Sequence, residues 1–194
     1  MKHEWDSGVF PYKTGEIETI DPGEASSTKK KVLPKLPRTK RPAHVDDLKT
    51  RNKGLLDKKP WTLGLIEAMG LVDLIGRQRF ETKNRTALIL LDSNFEIALK
   101  EFIVHRSDLF PPYKYDNVAL AKLFKNRTEV IKDVQPHAKF PKTLLGKVAH
   151  YYTLRNSLIH ERATGLITDE QVQDYRKTIE RVLKKLFDIR FRPH

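Results

Sequence analysis

Apolar side chains recur at helical spacing along most of the chain from Trp61 onward. Spacings of three and four residues place such side chains on one face of a helix. The first segment of this kind carries Leu63, Ile66, Met69, Val72 and Ile75. A second, longer segment over 81–105 carries Leu88, Leu91, Phe95, Leu99 and Phe102. The pair Pro111 and Pro112 prevents its continuation, because proline lacks the backbone N–H and restricts the residue before it.

Two further helices are indicated by the residues at their ends. Asn117 can cap a third helix that runs toward Val134, and Pro136 is expected to close this region. A fourth helix is predicted to begin near Pro141, because proline suits the first helical turn, and to stop at Gly165.

A fifth helix is predicted to follow Thr168, because Gln171 stands three residues later and the two side chains can form a capping box. No alternating strand pattern of useful length and no internal repeat occurs in the sequence. The predicted fold is therefore an all-α bundle of about five helices over residues 60–190.

Residues 1–59 differ from the rest in proline content and charge. Pro34, Pro37 and Pro42 stand close together, and residues 29–59 contain twelve Lys and Arg against three Asp, a net charge of +9. Closely spaced prolines interrupt helices, so residues 1–59 are predicted to form a flexible, basic, proline-rich tail or linker. The cations expected to add RNA contacts there are Lys29, Lys30, Lys31, Arg38, Lys40 and Arg41.

Composition narrows the class of protein. The absence of cysteine excludes disulfides, thiolate nucleophiles and cysteine-ligated metal sites. No apolar run approaches the length of a membrane span, and no signal-peptide pattern opens the chain. We therefore expect a cytoplasmic protein that does not act at a membrane. Its net charge of +12 favours a polyanionic partner, with nucleic acid first.

The fourth predicted helix contains Arg155, followed at the fifth position by His160, an R-x4-H pattern. Fourteen Arg and seven His give roughly 1.5 chance matches when three spacings are allowed, so the pattern alone is weak. Two matches occur, and the other, from Arg38 to His44, lies in the proline-rich segment. The interpretation rests on the predicted helix that would hold Arg155 and His160 together.

In that context residues 80–188 resemble the HEPN domain family, in which an R-x4-H motif with Asn after the Arg lies in a late helix of a short bundle. The segment 87–100 resembles the second helix of that family. The resemblance implies a metal-independent endoribonuclease without a cofactor, whose catalytic residues are Arg155, His160 and Asn156. It further implies a homodimer with a composite site in a toxin or antiviral defence system, with a regulatory partner or fused ATPase or sensor.

The residue types fit that chemistry. Cleavage of RNA by its own 2′-OH requires proton transfer near neutral pH, which His performs, and stabilisation of a phosphorane, which the guanidinium fork of Arg performs. Tyr152 is a candidate for stacking on a base. Arg155 and His160 are about 140° apart around a helix, and a second copy facing the first would relax this separation. Leu154, Leu158 and Tyr151 fall on the opposite side, which is predicted to face the core. Tyr151 and the apolar end of this helix are candidates for a dimer contact, and the sequence does not select its face.

Several alternatives stay open. Asp92 and Glu96 are supporting candidates, since HEPN relatives often have an acidic group near the pocket, but with Arg85 and Lys100 they also fit a solvated charge face. Arg155 and His160 fit an ion pair or helix-end role as well. The whole chain also fits a catalytically silent HEPN module for dimerisation or RNA binding, or a basic adaptor.

Overall fold

The computed structural model describes residues 43–160 and 167–191, with the side chains of Ala43 and His160 outside the described part. These residues form eight α-helices and no strand. The helices are α1 (Ala43–Arg51), α2 (Lys53–Lys58), α3 (Leu63–Gly76), α4 (Lys83–Val104), α5 (Asn117–Leu123), α6 (Arg127–Ala138), α7 (Lys142–His160) and α8 (Asp169–Phe187). The all-α fold class predicted from sequence is confirmed.

Four of the five predicted helices correspond to single helices, α3, α4, α7 and α8. At the start of α7, the carbonyl of Pro141 accepts hydrogen bonds from the backbone N–H groups of Leu144 and Leu145. At the start of α8, Thr168 and Gln171 form the predicted capping box. The predicted stop at Gly165 lies outside the described residues.

The third predicted helix is two helices, because two caps lie within it. Asp116, rather than Asn117, caps α5 by accepting a 2.8 Å hydrogen bond from the N–H of Ala119. Asn126 then starts α6 by accepting from the N–H groups of Thr128 and Glu129. Pro136 does not close the region as predicted but lies inside α6, which ends at Ala138.

Within the described residues the first helix starts at Ala43, ahead of the predicted boundary between tail and bundle at residue 59. Helix α1 contributes Leu48, which is fully buried, and Asn52, just after the helix, donates to the carbonyl of Arg190 and accepts from its N–H. The tail prediction therefore differs from the structure over 43–59, because a few apolar side chains suffice to pack a short helix onto α3. Residues 1–42 lie outside the described part.

Helix α4 occupies the centre of the bundle and contacts α3, α6, α7 and α8. Its buried side chains include Leu88, Leu91, Phe95, Leu99 and Phe102, the five apolar positions that predicted it. These pack against buried residues of α3 and α8, among them Met69 and Ile179. No helix in the described part is both long and apolar enough to cross a membrane.

Candidate functional site

Asp92, in the middle of α4, has no exposed surface. Its Oδ1 accepts a 2.9 Å hydrogen bond from the hydroxyl of Tyr175 in α8. Its Oδ2 accepts from Nη1 of Arg127 in α6 at 2.9 Å and from Nε of Arg155 in α7 at 3.1 Å. One buried carboxylate thus joins four helices, and the solvated charge face considered for Asp92 is excluded.

Arg127 is the second centre of this network. Its Nη1 also donates to Oε1 of Glu96 at 2.9 Å, and its guanidinium carbon lies 4.2 Å from the centre of the Tyr152 ring. Burial tends to lower the pKa of Arg127, but the hydrogen bond and charge of Asp92 outweigh this effect, and the pKa is raised. Arg127 therefore stays cationic while its side chain is only 12% exposed.

Tyr175 donates a further hydrogen bond to the carboxylate of Asp92. Burial, followed by the negative charge of Asp92, raises the pKa of Tyr175 far above its ordinary value. Its hydroxyl therefore keeps its proton and acts as a donor to Asp92 at all ordinary pH values.

Arg155 is a partly exposed member of this network. Its Nε donates to Asp92, its Nη1 donates to Oδ1 of Asn156 at 3.0 Å, and its guanidinium carbon lies 5.4 Å from the centre of the Tyr152 ring. The side chain is 20% exposed, and Nη2 forms no hydrogen bond or ion pair within the described residues. Arg155 is thus held by two contacts and keeps one donor edge without a partner in that part of the chain.

This position corrects the angular argument made from the sequence. Leu158 and Tyr151 are buried, as predicted for the core-facing side of the helix. Arg155 is mostly buried as well, because its long side chain bends toward the carboxylate of Asp92. The sequence argument placed Arg155 opposite the core-facing side of α7 and missed its bond to buried Asp92, since that argument treated α7 without its neighbour α4.

His160 is the last residue of α7, and its side chain lies outside the described part. It lies five positions after Arg155 along the helix, an axial rise of about 7.5 Å. The meeting of the two side chains at one phosphate therefore stays a prediction. So do the RNA contacts of Lys29, Lys30, Lys31, Arg38, Lys40 and Arg41, which lie outside the described residues.

Three of the candidates, Asp92, Tyr152 and Asn156, contact Arg155, and Glu96 joins the same network through Arg127. The network also contains two residues that sequence reasoning missed. Arg127 directly follows the Asn126 cap, and that cap signal was overlooked. Tyr175 was assigned to the apolar stripe of the last helix, and no sequence signal distinguishes its hydroxyl contact from ordinary burial. With two carboxylates and two guanidinium groups, the network has a formal charge of zero.

A second, partly buried ion network lies on another side of α8. Arg176 pairs with Asp73 of α3 and with Glu180, and its Nη2 lies 2.7 Å from Oδ2 of Asp73. His44 of α1 contacts the same carboxylate. Burial tends to lower the pKa of Arg176, but Asp73 outweighs this effect and the pKa is raised. Its members were not predicted as site residues, and its contacts fasten α1 and α8 to α3.

A cleft of about 480 Å³ opens beside Arg127 and Tyr152, between α6 and α7. Lys125 lines its rim, and Leu145 and Val148 line its apolar part. Within residues 43–160 and 167–191, no three His, Asp or Glu side chains are grouped so that they could hold a metal ion.

Searches with protein-family models, among curated proteins and among solved structures gave no match to this chain. The family resemblance therefore stays a prediction from the sequence motif.

Proposed function

We propose that the chain is a metal-independent endoribonuclease of HEPN type, with Arg155, His160 and Asn156 as its catalytic residues. It cleaves RNA by attack of the adjacent 2′-OH and leaves a 2′,3′-cyclic phosphate. The observation that carries the proposal is the anchoring of Arg155: buried Asp92 holds Nε, Asn156 holds Nη1, and Nη2 has no partner among the described residues.

An anchored guanidinium suits transition-state stabilisation. Its orientation is set before the substrate binds, so little reorganisation is needed when negative charge develops on the phosphorane oxygens. Arg127 and Glu96 support the arrangement. Arg127 also binds the Asp92 carboxylate, so Arg155 makes a single hydrogen bond to it, and Glu96 in turn binds Arg127. Tyr152 packs beside both guanidinium groups and is proposed to present its ring to a base.

The proposed reaction requires two proton transfers. His160 removes the proton of the 2′-OH, and the 2′-oxygen attacks phosphorus while the bond to the 5′-oxygen breaks. The leaving 5′-oxygen takes a proton from a second imidazole that is in its protonated, imidazolium form, which we assign to His160 of another copy in a homodimer. Arg155 stabilises the charge of the pentavalent transition state, and the products are a cyclic phosphate and a 5′-hydroxyl.

The setting proposed with this activity follows the family resemblance. RNA is the substrate, the protein acts in the cytoplasm as a toxin or antiviral-defence effector, and a regulatory partner or fused ATPase or sensor restrains it. The net charge of +12 supports a polyanionic substrate.

A catalytically silent module for dimerisation or RNA binding is the second candidate. The burial of Asp92 and the pairing of Arg155 favour it, because the same contacts would serve if their only role were to join α4, α6, α7 and α8. The Arg176 network already joins helices in this way.

An RNA cleavage assay in excess EDTA distinguishes the two candidates. We expect cyclic phosphate products from the unmodified chain and a loss of at least about 100-fold in His160→Ala and in Arg155→Lys, which keeps a positive charge beside Asp92. His150→Ala is the matched control, since His150 is an exposed residue of the same helix. Cleavage of RNA that carries a 2′-deoxy sugar at the cut position, or equal activity in His160→Ala and His150→Ala, refutes the mechanism.

A further inference from the structure

Three helices of the bundle end at the same place. A cleft of about 520 Å³ is lined by Arg106, which follows α4, by Lys139, which follows α6, and by Lys185 in the last turn of α8. Because all three residues line one cleft, the carboxyl ends of α4, α6 and α8 meet around it. Phe102 and Leu109 supply its apolar part.

A second cleft of about 450 Å³ lies on the other side of the end of α8. Consecutive residues of that helix, Leu186 and Phe187, line the first and the second cleft respectively. The remaining lining of the second cleft includes Lys58 and Lys59, which come from the chain just before α3. We call the two clefts together the basic end.

The cations of the basic end differ from those in the middle of the bundle. Six of them form no ion pair with a carboxylate of the described residues: Arg51, Lys58, Lys59, Lys139, Lys185 and Arg190. Arg106 is neutralised by a bidentate contact with Asp108. Asp188 is the one acidic residue among those that line either cleft in the described part. By contrast, Arg127 and Arg155 each contact buried Asp92.

Helix geometry explains part of this distribution. Cations are stabilised near helix carboxyl ends by the macrodipole, which accounts for single residues such as Lys185. The macrodipole does not explain why several helix ends converge, why the space between them is open, or why carboxylates are rare around it. A set of unpaired cations around open clefts attracts a polyanion and concentrates it at the surface.

We infer that the basic end binds the phosphate backbone of single-stranded RNA, the choice of RNA resting on the proposed function. Along α4 it lies about 15–20 Å from Asp92, so a bound strand of several nucleotides would reach from the basic end to Arg155. The Asp92 network has no net charge of its own, and the basic end supplies the attraction that this network lacks.

Binding is tested in the full chain with His160→Ala, so that a 16-nucleotide single-stranded RNA stays intact. The test variant carries Lys58→Gln, Lys59→Gln, Lys139→Gln and Lys185→Gln. The matched control carries Lys114→Gln, Lys122→Gln, Lys132→Gln and Lys177→Gln, four exposed lysines that line neither cleft. Both variants lose the same formal charge, and both are checked by circular dichroism melting.

The test variant is expected to bind at least about tenfold more weakly at 150 mM salt, and its log–log salt slope is expected to fall by about 3, for four lost phosphate contacts. The control is expected to change much less. Equal weakening in the two variants overturns the inference. Binding to anionic lipid vesicles is measured in the same way. If the test variant loses vesicle binding but keeps RNA binding, the clefts belong to a membrane surface and the inference is overturned.

A cleavage assay separates this inference from the proposed function. With His160 present, the test variant should cut a dinucleotide at the normal rate, since that substrate is too short to reach the basic end, but should show a raised KM for the 16-nucleotide RNA. If the unmodified chain cuts no RNA, the proposed function fails while the binding comparison still decides the inference. If the test variant loses dinucleotide cleavage as strongly as cleavage of the 16-nucleotide RNA, the inference is overturned.

Discussion

The carboxylate of Asp92 accepts hydrogen bonds from side chains of α6, α7 and α8 while having no exposed surface. A buried charge is costly unless nearby groups replace its hydration, and two guanidinium groups and one hydroxyl do so here. The same contacts orient Arg155, so the stability of the bundle and the geometry of the candidate site depend on one residue.

Asp92→Asn is therefore expected to destabilise the protein. The change keeps the size of the side chain but leaves Arg127 and Arg155 without their shared counter-charge, which costs about 3–5 kcal/mol for a buried pair. Urea unfolding followed by circular dichroism measures the loss. Glu96→Gln is the control, because Glu96 is 28% exposed and pairs only with Arg127 among the described residues, and its cost should be about 1 kcal/mol. Similar small losses in both variants would show that Asp92 is not the centre of the network.

A residue's role in this network could be predicted only in part from the sequence. Asp92 and Glu96 were candidates because HEPN relatives often have an acidic group near the pocket, yet their spacing on one helix face also fits a solvated surface. The choice between the two depended on the neighbouring helices, which supply Arg127, Arg155 and Tyr175.

At the scale of the elements, the contact between α1 and α3 depends on a glycine. A Cβ built on Gly70 would lie 2.7 Å from Cγ2 of Val45, whereas a Cβ on Gly64 would meet nothing within 4 Å. The backbone of α3 is therefore approached closely by α1 at Gly70 and is open at Gly64.

Alanine substitutions at these two glycines should have opposite effects. Gly64→Ala should stabilise the protein by about 0.5–1 kcal/mol, because alanine favours the helix. Gly70→Ala has the same gain but forces α1 away from α3, at a cost of about 1–3 kcal/mol, so it should be the less stable variant. Thermal unfolding compares them, and Val45→Ala added to Gly70→Ala should recover part of the loss. Equal stabilisation by both would contradict the packing of α1.

At the scale of the molecule, the predicted homodimer would supply the second imidazole that the proposed reaction needs. One chain provides a single Arg155 and a single His160, and the proposed reaction uses two imidazoles. A two-fold axis that brings the carboxyl ends of two α7 helices together would supply both. Tyr151, considered for this contact from the sequence, is buried and donates to Asp174 in its own chain, whereas Ile159 is exposed beside His160.

Activity should therefore depend on protein concentration. Light scattering measures the mass across a dilution series, and specific activity on RNA should fall as dimer converts to monomer. Ile159→Asp should weaken association and activity together, because it introduces charge at the proposed contact, while Val118→Asp, at an exposed site on α5, is the control. Full specific activity in a monomeric sample would exclude a composite site.

The sequence by itself determined four of the helices, α3, α4, α7 and α8, because helical periodicity and end caps are local properties. The five apolar positions of α4, the Thr168 capping box and the start of α7 after Pro141 all followed from neighbouring residues. The tertiary structure decided the packing of α1, the burial of Asp92 and the inward turn of Arg155. Each of these depends on contacts between residues distant in sequence, and the free energy of burying a charge is set by the partners that surround it.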